Sequence, residues 1–218
     1  MRRLWLELTL TPLPLAALVA GLLAALWINP YTLYLSGASG PLAVRLLDVV
    51  AFVVGAMLGA QLLTPEEQGR THEVVAARPS GVSGVLLYRI ALVLGAWLVA
   101  SYWMAALLLW SDPGRNAVLL TLTFFASGAA GLALALAVLA RTGSPTLAMS
   151  AGALVLGVFL ALRAGGLATG ALELFPAYAF YPDGLLLRSK ALWLLVAALL
   201  AAYAVAAVHR PVAFMNGD

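Results

Sequence analysis

Apolar residues run along this chain in long unbroken stretches, with polar residues gathered at their ends. That is not the short alternation of a water-facing helix or strand. About 20 mostly apolar residues in helical form cross the roughly 30 Å of hydrocarbon in a bilayer. The runs at about 12–28, 42–63, 85–110, 117–140, 146–162 and 191–208 are accordingly expected to be six transmembrane helices. Turn chemistry separates them. Thr11-Pro12 has an N-cap residue followed by proline at the first helical position. Asn29-Pro30 ends or kinks the first run, and the turns are SGASGP at 36–41, Asp112-Pro113-Gly114 and Gly143-Ser144-Pro145. Residues 2–10 place Leu4, Trp5 and Leu8 on one face and Arg3 and Glu7 on another, which predicts an interfacial helix. Two connections are longer. Residues 64–84 are the most polar stretch of the chain. Residues 163–190 set Phe175, Tyr178, Phe180 and Tyr181 beside Pro176 and Pro182. This second stretch is too broken to span, and its aromatics suit the outer interface, where it would dip into the bilayer without crossing. The expected fold class is an all-α membrane protein forming one domain over 1–218.

Composition supports this reading. The chain is 64% hydrophobic and 10% charged, too apolar for a soluble domain of its length. A net charge of +3 spread over helix ends implies no nucleic-acid partner. There are no cysteines, so disulfides and thiolate metal sites are excluded. Met1-Arg2-Arg3 before an apolar run, with Ser36, Ala38 and Ser39 beyond it, resembles a signal peptide, but the segment is expected to be retained. An even number of spans puts both termini on one side. With the termini in the cytoplasm, that side holds Arg2, Arg3, Arg70, Arg78, Arg89, Arg141 and Arg210, and the outside holds Arg45, Arg115, Arg163, Arg188 and Lys190. The excess of basic residues favours this orientation, with the chain in the cell membrane.

The polar connection carries the densest local chemistry. Residues 64–79 read TPEEQGRTHEVVAARP. Thr64 and Glu67 have capping-box spacing, with Pro65 at the first helical position. Glu66 and Arg70 form an i, i+4 pair in the favourable order. Pro79 disfavours helix at Arg78. The pattern predicts a short cytoplasmic helix with a charged front half and an apolar tail beginning at Val74 and Val75. Such a helix is either a solvated loop helix or an element that docks into a partner's groove.

This stretch resembles the loop between the second and third helices of ABC-2 type transporter permeases. The resemblance lies in Glu66, Glu67, Gly69, Thr71-His72-Glu73, Arg78-Pro79 and Arg89. Arg70 departs from the family pattern by standing between Gly69 and Thr71. The layout is also similar: an interfacial N-terminal helix, six spans, a cytoplasmic helix between spans two and three, and a broken outer segment between spans five and six. The resemblance implies that the helix is a coupling helix seated in a separate ATPase subunit, through Glu66, Glu67, Gly69, Arg70, Thr71, Glu73, Val74, Val75, Arg78 and Pro79. It implies two ATPase subunits holding ATP and Mg, and a second permease chain, identical or homologous. This chain has no G-x-x-x-x-G-K-[ST] phosphate loop, so it is expected to have no cofactor and no ATPase activity of its own.

Charges within the spans are few. Arg45 and Asp48 stand three apart near the outer end of the second helix and are expected to pair, most simply as a neutralised pair near the headgroups. With the last helix starting at Ala191, no charge falls in the middle of helices three to six, which argues against an ion-coupled carrier. Apolar and small residues would line the pathway, so a hydrophobic or amphipathic substrate fits better than a small ion. Gly55 and Gly59 on helix two, and Gly128 and Gly131 on helix four, predict close helix packing within the chain. A rhomboid-like serine protease is an alternative, since Gly37-Ala38-Ser39-Gly40 and Gly81-Val82-Ser83-Gly84 match G-x-S-G, with His72 or His209 as the base. A non-transporting scaffold of the same fold is another.

Overall fold

The computed structural model describes residues 13–28, 40–63, 81–111, 116–165, 174–175 and 183–208. The described residues form six helices and no strand. They are α1 (Leu13–Trp27), α2 (Gly40–Gln61), α3 (Gly81–Ser111), α4 (Ala117–Thr142), α5 (Pro145–Ala164) and α6 (Asp183–Val208). Five of them, α2 to α6, are long and apolar enough to cross a membrane. The chain is thus a multi-pass membrane protein. At 15 residues, α1 is shorter; at 1.5 Å per residue it covers about 22 Å, less than the roughly 30 Å of hydrocarbon. The residues expected to form an interfacial helix at 2–10 and a short cytoplasmic helix at 65–78, and both termini, lie outside the described residues.

Two helix starts differ from the expected ones. Ser83, expected in a loop, lies in the first turn of α3, which begins at Gly81. More consequentially, α6 begins at Asp183 rather than Ala191. Pro182 precedes the start, and Asp183 puts a carboxylate where the positive end of the helix dipole favours one. The apolar Leu185-Leu186-Leu187 then carries the helix past Arg188 and Lys190. The stretch 183–190 is therefore helix, not part of a broken outer segment, and Lys190 belongs to a span.

Local chemistry accounts for the two ends of α4 and the turn into α5. The Asn116 side chain caps α4 by accepting from the N–H groups of Val118 at 3.0 Å and Leu119 at 3.3 Å. At its other end Gly143 takes the left-handed conformation, φ 65°, and donates to the Leu139 carbonyl at 2.8 Å. Ser144 then accepts from Leu147 N at 3.3 Å, with Pro145 opening α5.

The centre of the bundle is α4, which is buried along most of its length and packs against α2, α3, α5 and α6. In lipid, where tails are as apolar as leucine, helices associate by close van der Waals packing, and small residues permit it. The α2–α4 contact shows this directly. A Cβ placed on Gly55 would collide with the Gly128 backbone, one on Gly59 with the Leu132 backbone, and one on Gly131 with the Phe52 backbone. Gly128 also leaves room for the Trp97 indole, whose Nε1 donates to the Phe124 carbonyl at 3.3 Å. The packing expected of these glycines is thus present, within one chain. Outward faces of α3, α5 and α6 expose Leu98, Trp103, Leu154, Leu195 and Leu199, as a lipid-facing surface should.

Gly55→Leu and Gly131→Leu should each force α2 and α4 apart and destabilise the fold by about 1–3 kcal/mol or more, the usual range for overpacking. Gly157→Ala, where nothing lies within 4 Å, should leave stability unchanged or raise it. Thermal unfolding of the three variants in one detergent checks this ordering.

Candidate functional site

The polar centre of the bundle is built around the chain's one lysine. Lys190 is fully buried on α6, seven residues past its start. Asp48, 2% exposed, is eight residues into α2, and the fully buried Ser127 is ten residues into α4. At 1.5 Å per residue all three sit about 10–15 Å along their helices. Lys190 Nζ donates to Asp48 Oδ2 at 2.7 Å and to Oδ1 at 3.0 Å. It also reaches Ser127 Oγ at 2.8 Å and the backbone carbonyl of Leu174 at 2.7 Å.

Leu174 is the unexpected member. Together with Phe175 it belongs to the connection between α5 and α6, and both residues are buried. Phe175 stands edge-on to Phe52 of α2, with centroids 5.6 Å apart, and to Phe159 of α5 at 6.2 Å. Phe159 in turn meets Trp193 of α6 at 5.5 Å. Non-helical backbone inside a bilayer survives only where protein satisfies its polar groups. Lys190 does this for Leu174, while the aromatic edges pack the neighbouring side chain. Of the connection at 166–182 only Leu174 and Phe175 are described, both buried against the bundle; the rest lies outside the described residues.

The electrostatic logic is mutual. An isolated ammonium or carboxylate in hydrocarbon is costly, so buried charges occur paired and hydrogen-bonded. Here each ion neutralises the other, and Nζ also donates to Ser127 Oγ and the Leu174 carbonyl. The expected partner of Asp48 was Arg45, three residues earlier on the same helix. Arg45 is half-buried on α2, and the cation at the carboxylate is Lys190. The pair also removes the argument that helices three to six carry no internal charge, because Lys190 is an internal charge of α6. Sequence reasoning missed Lys190 by treating it as an outer topology signal. Asp183 beside Pro182, followed by three leucines, was the available cue to a longer helix.

A second polar contact closes the other end of α2. Arg89 of α3, 7% exposed, donates from Nη1 to the Leu62 carbonyl at 3.1 Å. Helix C-termini leave carbonyls unmatched and favour a cation. This contact ties α3 to the point where the 64–80 connection leaves α2. The connection itself, with Glu66, Glu67, Gly69, Arg70, Thr71, Glu73, Val74, Val75, Arg78 and Pro79, lies outside the described residues. So do Ser39, His72 and His209 of the protease alternative, whereas Ser83 is half-buried on α3. Among the described residues no group of three or more His, Cys, Asp or Glu could hold a metal ion. Comparison with protein-family models, curated proteins and solved structures found no match.

Lys190→Met alone strands the Asp48 carboxylate and should cost about 3–5 kcal/mol, the range for breaking a buried pair from one side. Lys190→Met combined with Asp48→Leu removes both charges and should recover most of that loss. Unfolding of the wild type, both single variants and the double variant, read as a double-mutant cycle, checks the coupling.

Proposed function

We propose that the chain is the membrane permease subunit of an ATP-driven transporter of the ABC-2 type, exporting a hydrophobic or amphipathic substrate. The observation that carries this reading is the sequence of the Thr64–Pro79 stretch between α2 and α3, charged at its front, with capping-box spacing and an apolar tail. Its attachment supports the reading. It leaves α2 where Arg89 grips Leu62, and it enters α3, which packs on α1 and α4. A push on such a segment would pass into packed helices rather than dissipate in a loop. The apolar lining of the bundle and its outward faces support an amphipathic substrate over a small ion.

In this reading two ATPase subunits bind ATP and Mg and receive the segment as a coupling helix. A second permease chain, identical or homologous, completes the pathway. The chain sits in the cell membrane with both termini in the cytoplasm. It contributes no catalytic group; it positions the docking segment and transmits its movement. One observation favours a second reading. A buried Lys190–Asp48 pair within the spans is the kind of group ion-coupled carriers use. The two differ in their power source: the permease transports only with its ATPase and ATP, the carrier with an ion gradient alone.

Topology gives the first check. A reporter fused after Asp218 should be cytoplasmic, thiol labelling at Ser39→Cys should occur from outside, and labelling of Gly69→Cys from outside would contradict the arrangement. Docking gives the second. An apolar anchor contributes more to an interface than rim charges. Val74→Asp with Val75→Asp should therefore abolish co-purification of the ATPase or uncouple hydrolysis from transport. Glu66→Ala should do much less, since its pair with Arg70 is worth about 0.3–0.5 kcal/mol. Normal assembly and transport by the double Asp variant would remove this segment as the docking element.

A further inference from the structure

The helices do not end at one level. Asp48 stands 13 residues before the last residue of α2, about 20 Å at 1.5 Å per residue. Lys190, bonded to Asp48, stands 18 residues before the last residue of α6, about 27 Å. Arg89, which meets the Leu62 carbonyl just past α2, is eight residues into α3, about 12 Å. The end of α6 thus projects past α2 by about 7 Å, and the start of α3 by about 12 Å.

Between these projecting ends lies a groove of about 610 Å³, within the roughly 300–1,000 Å³ of small-ligand sites. Ser83, Leu87 and Ile90 of α3 line one side, and Ala198, Ala202 and Val205 of α6 stand on the other. Both helices pack on α4 but touch one another only sparingly, and alanine side chains are too short to close the gap. Of the side chains lining it, only Ser83 is polar. Ile90 and Ala198 lie on the membrane side of the α2 end, whereas Ser83 lies about 9 Å beyond it. The headgroup layer on each face of a bilayer is about 5–7 Å thick. The hydroxyl end of the groove therefore falls at headgroup depth and the apolar length in the adjoining leaflet.

Length and charge select the occupant. The α6 side of the groove, from Ala198 to Ala206, runs for about 12 Å. A crossing helix would need contact along about 30 Å, whereas one leaflet supplies acyl chains over about half of that. Past Ile90 and Ala198 the two helices turn bulky Leu98 and Leu195 outward instead. The charge at this end is basic. Arg89 and Arg141 are the charged residues of α3 and α4, and Arg141 is exposed in the last turn. In the sequence Arg78 precedes α3 by three residues and Arg210 follows α6 by two, while the nearest carboxylates before α3 and after α6, Glu73 and Asp218, stand eight and ten residues away. Arginines flanking membrane spans attract anionic headgroups.

We propose that the groove between α3 and α6 seats one acyl chain of an anionic phospholipid from the surrounding leaflet, with its phosphate at the Ser83 end. The site is independent of the permease reading. Its test uses the full chain in nanodiscs of phosphatidylcholine and phosphatidylglycerol, with a trace of phosphatidylglycerol carrying a diazirine on its acyl chain. After illumination, crosslinks should map to Leu87, Ile90 and Val205. Unlabelled phosphatidylglycerol should compete at least about fivefold better than phosphatidylcholine, the equivalent of one arginine near the headgroup. Ala202→Phe fills the groove and should remove most of these crosslinks, whereas Leu199→Phe, on the outward face of α6, should not. Arg141→Gln with Arg210→Gln should narrow the preference between the two lipids. Equal competition by the two lipids in the wild type would overturn the proposal whether or not Ala202→Phe folds. So would crosslinking as strong at the exposed Leu154 of α5 as in the groove, the mark of ordinary surrounding lipid. A groove that yields crosslinks only to a second copy of the chain would overturn it as well. Absence of ATP-driven transport would count against the permease reading alone.

Discussion

One ammonium group in hydrocarbon constrains this structure more than any other feature. Lys190 can be buried only because Asp48 cancels its charge and oxygen atoms accept its hydrogen bonds. That requirement fixes three helices against one another in depth and rotation. It puts Asp48 of α2, Ser127 of α4 and Lys190 of α6 at one level, and it brings the Leu174 backbone to the same place. A pair of this kind adds little net stability compared with an apolar core, because desolvation offsets much of the Coulombic attraction. What it supplies is register. A one-residue slip of α6 would rotate Lys190 away from Asp48 and strand both charges. Leucine-rich faces such as those of α3 and α6 would tolerate the slip far better.

The glycine contacts act together with this pair. Gly55, Gly59 and Gly131 let α2 and α4 approach to backbone contact, which brings Asp48 and Ser127 close enough for one ammonium to reach both. Packing therefore sets the distance and the ion pair sets the register. At the opposite end of α2, Arg89 closes the helix on Leu62. The helix that carries Asp48 is thus held at both levels: by Lys190 within the span, and by Arg89 where the polar connection leaves. In the permease reading this makes α2 the element through which a movement of the 64–80 connection would be felt at the polar node.

Much of the fold was legible in the sequence because the bilayer imposes one rule, about 20 apolar residues per crossing. The runs that became α2, α4 and α5 and the turn at Gly143 follow from apolar length and from turn chemistry. The glycine pairs could be read as packing sites because small residues have few other uses in a membrane helix. The polar node could not be read. Charge was taken as a sign of a helix end, which holds for isolated charges such as Arg141 but fails for a charge neutralised from a distance. Asp48 and Lys190 are 142 residues apart, and no local spacing reports their meeting. Arg45, three residues from Asp48, offered a nearer partner and concealed the distant one. The Leu174 carbonyl had no signal at all, since any residue has one.

Because Lys190 is the chain's one lysine, its side chain can be observed alone. Uniform 15N-lysine labelling gives a single Nζ signal by solid-state NMR in lipid, and 13C-aspartate labelling adds the carboxyl carbons. One ammonium resonance is expected, protected from exchange with water, with a strong dipolar coupling to a carboxylate carbon that disappears in Asp48→Leu. An Nζ that exchanges freely with water and shows no coupling to an aspartate would contradict it.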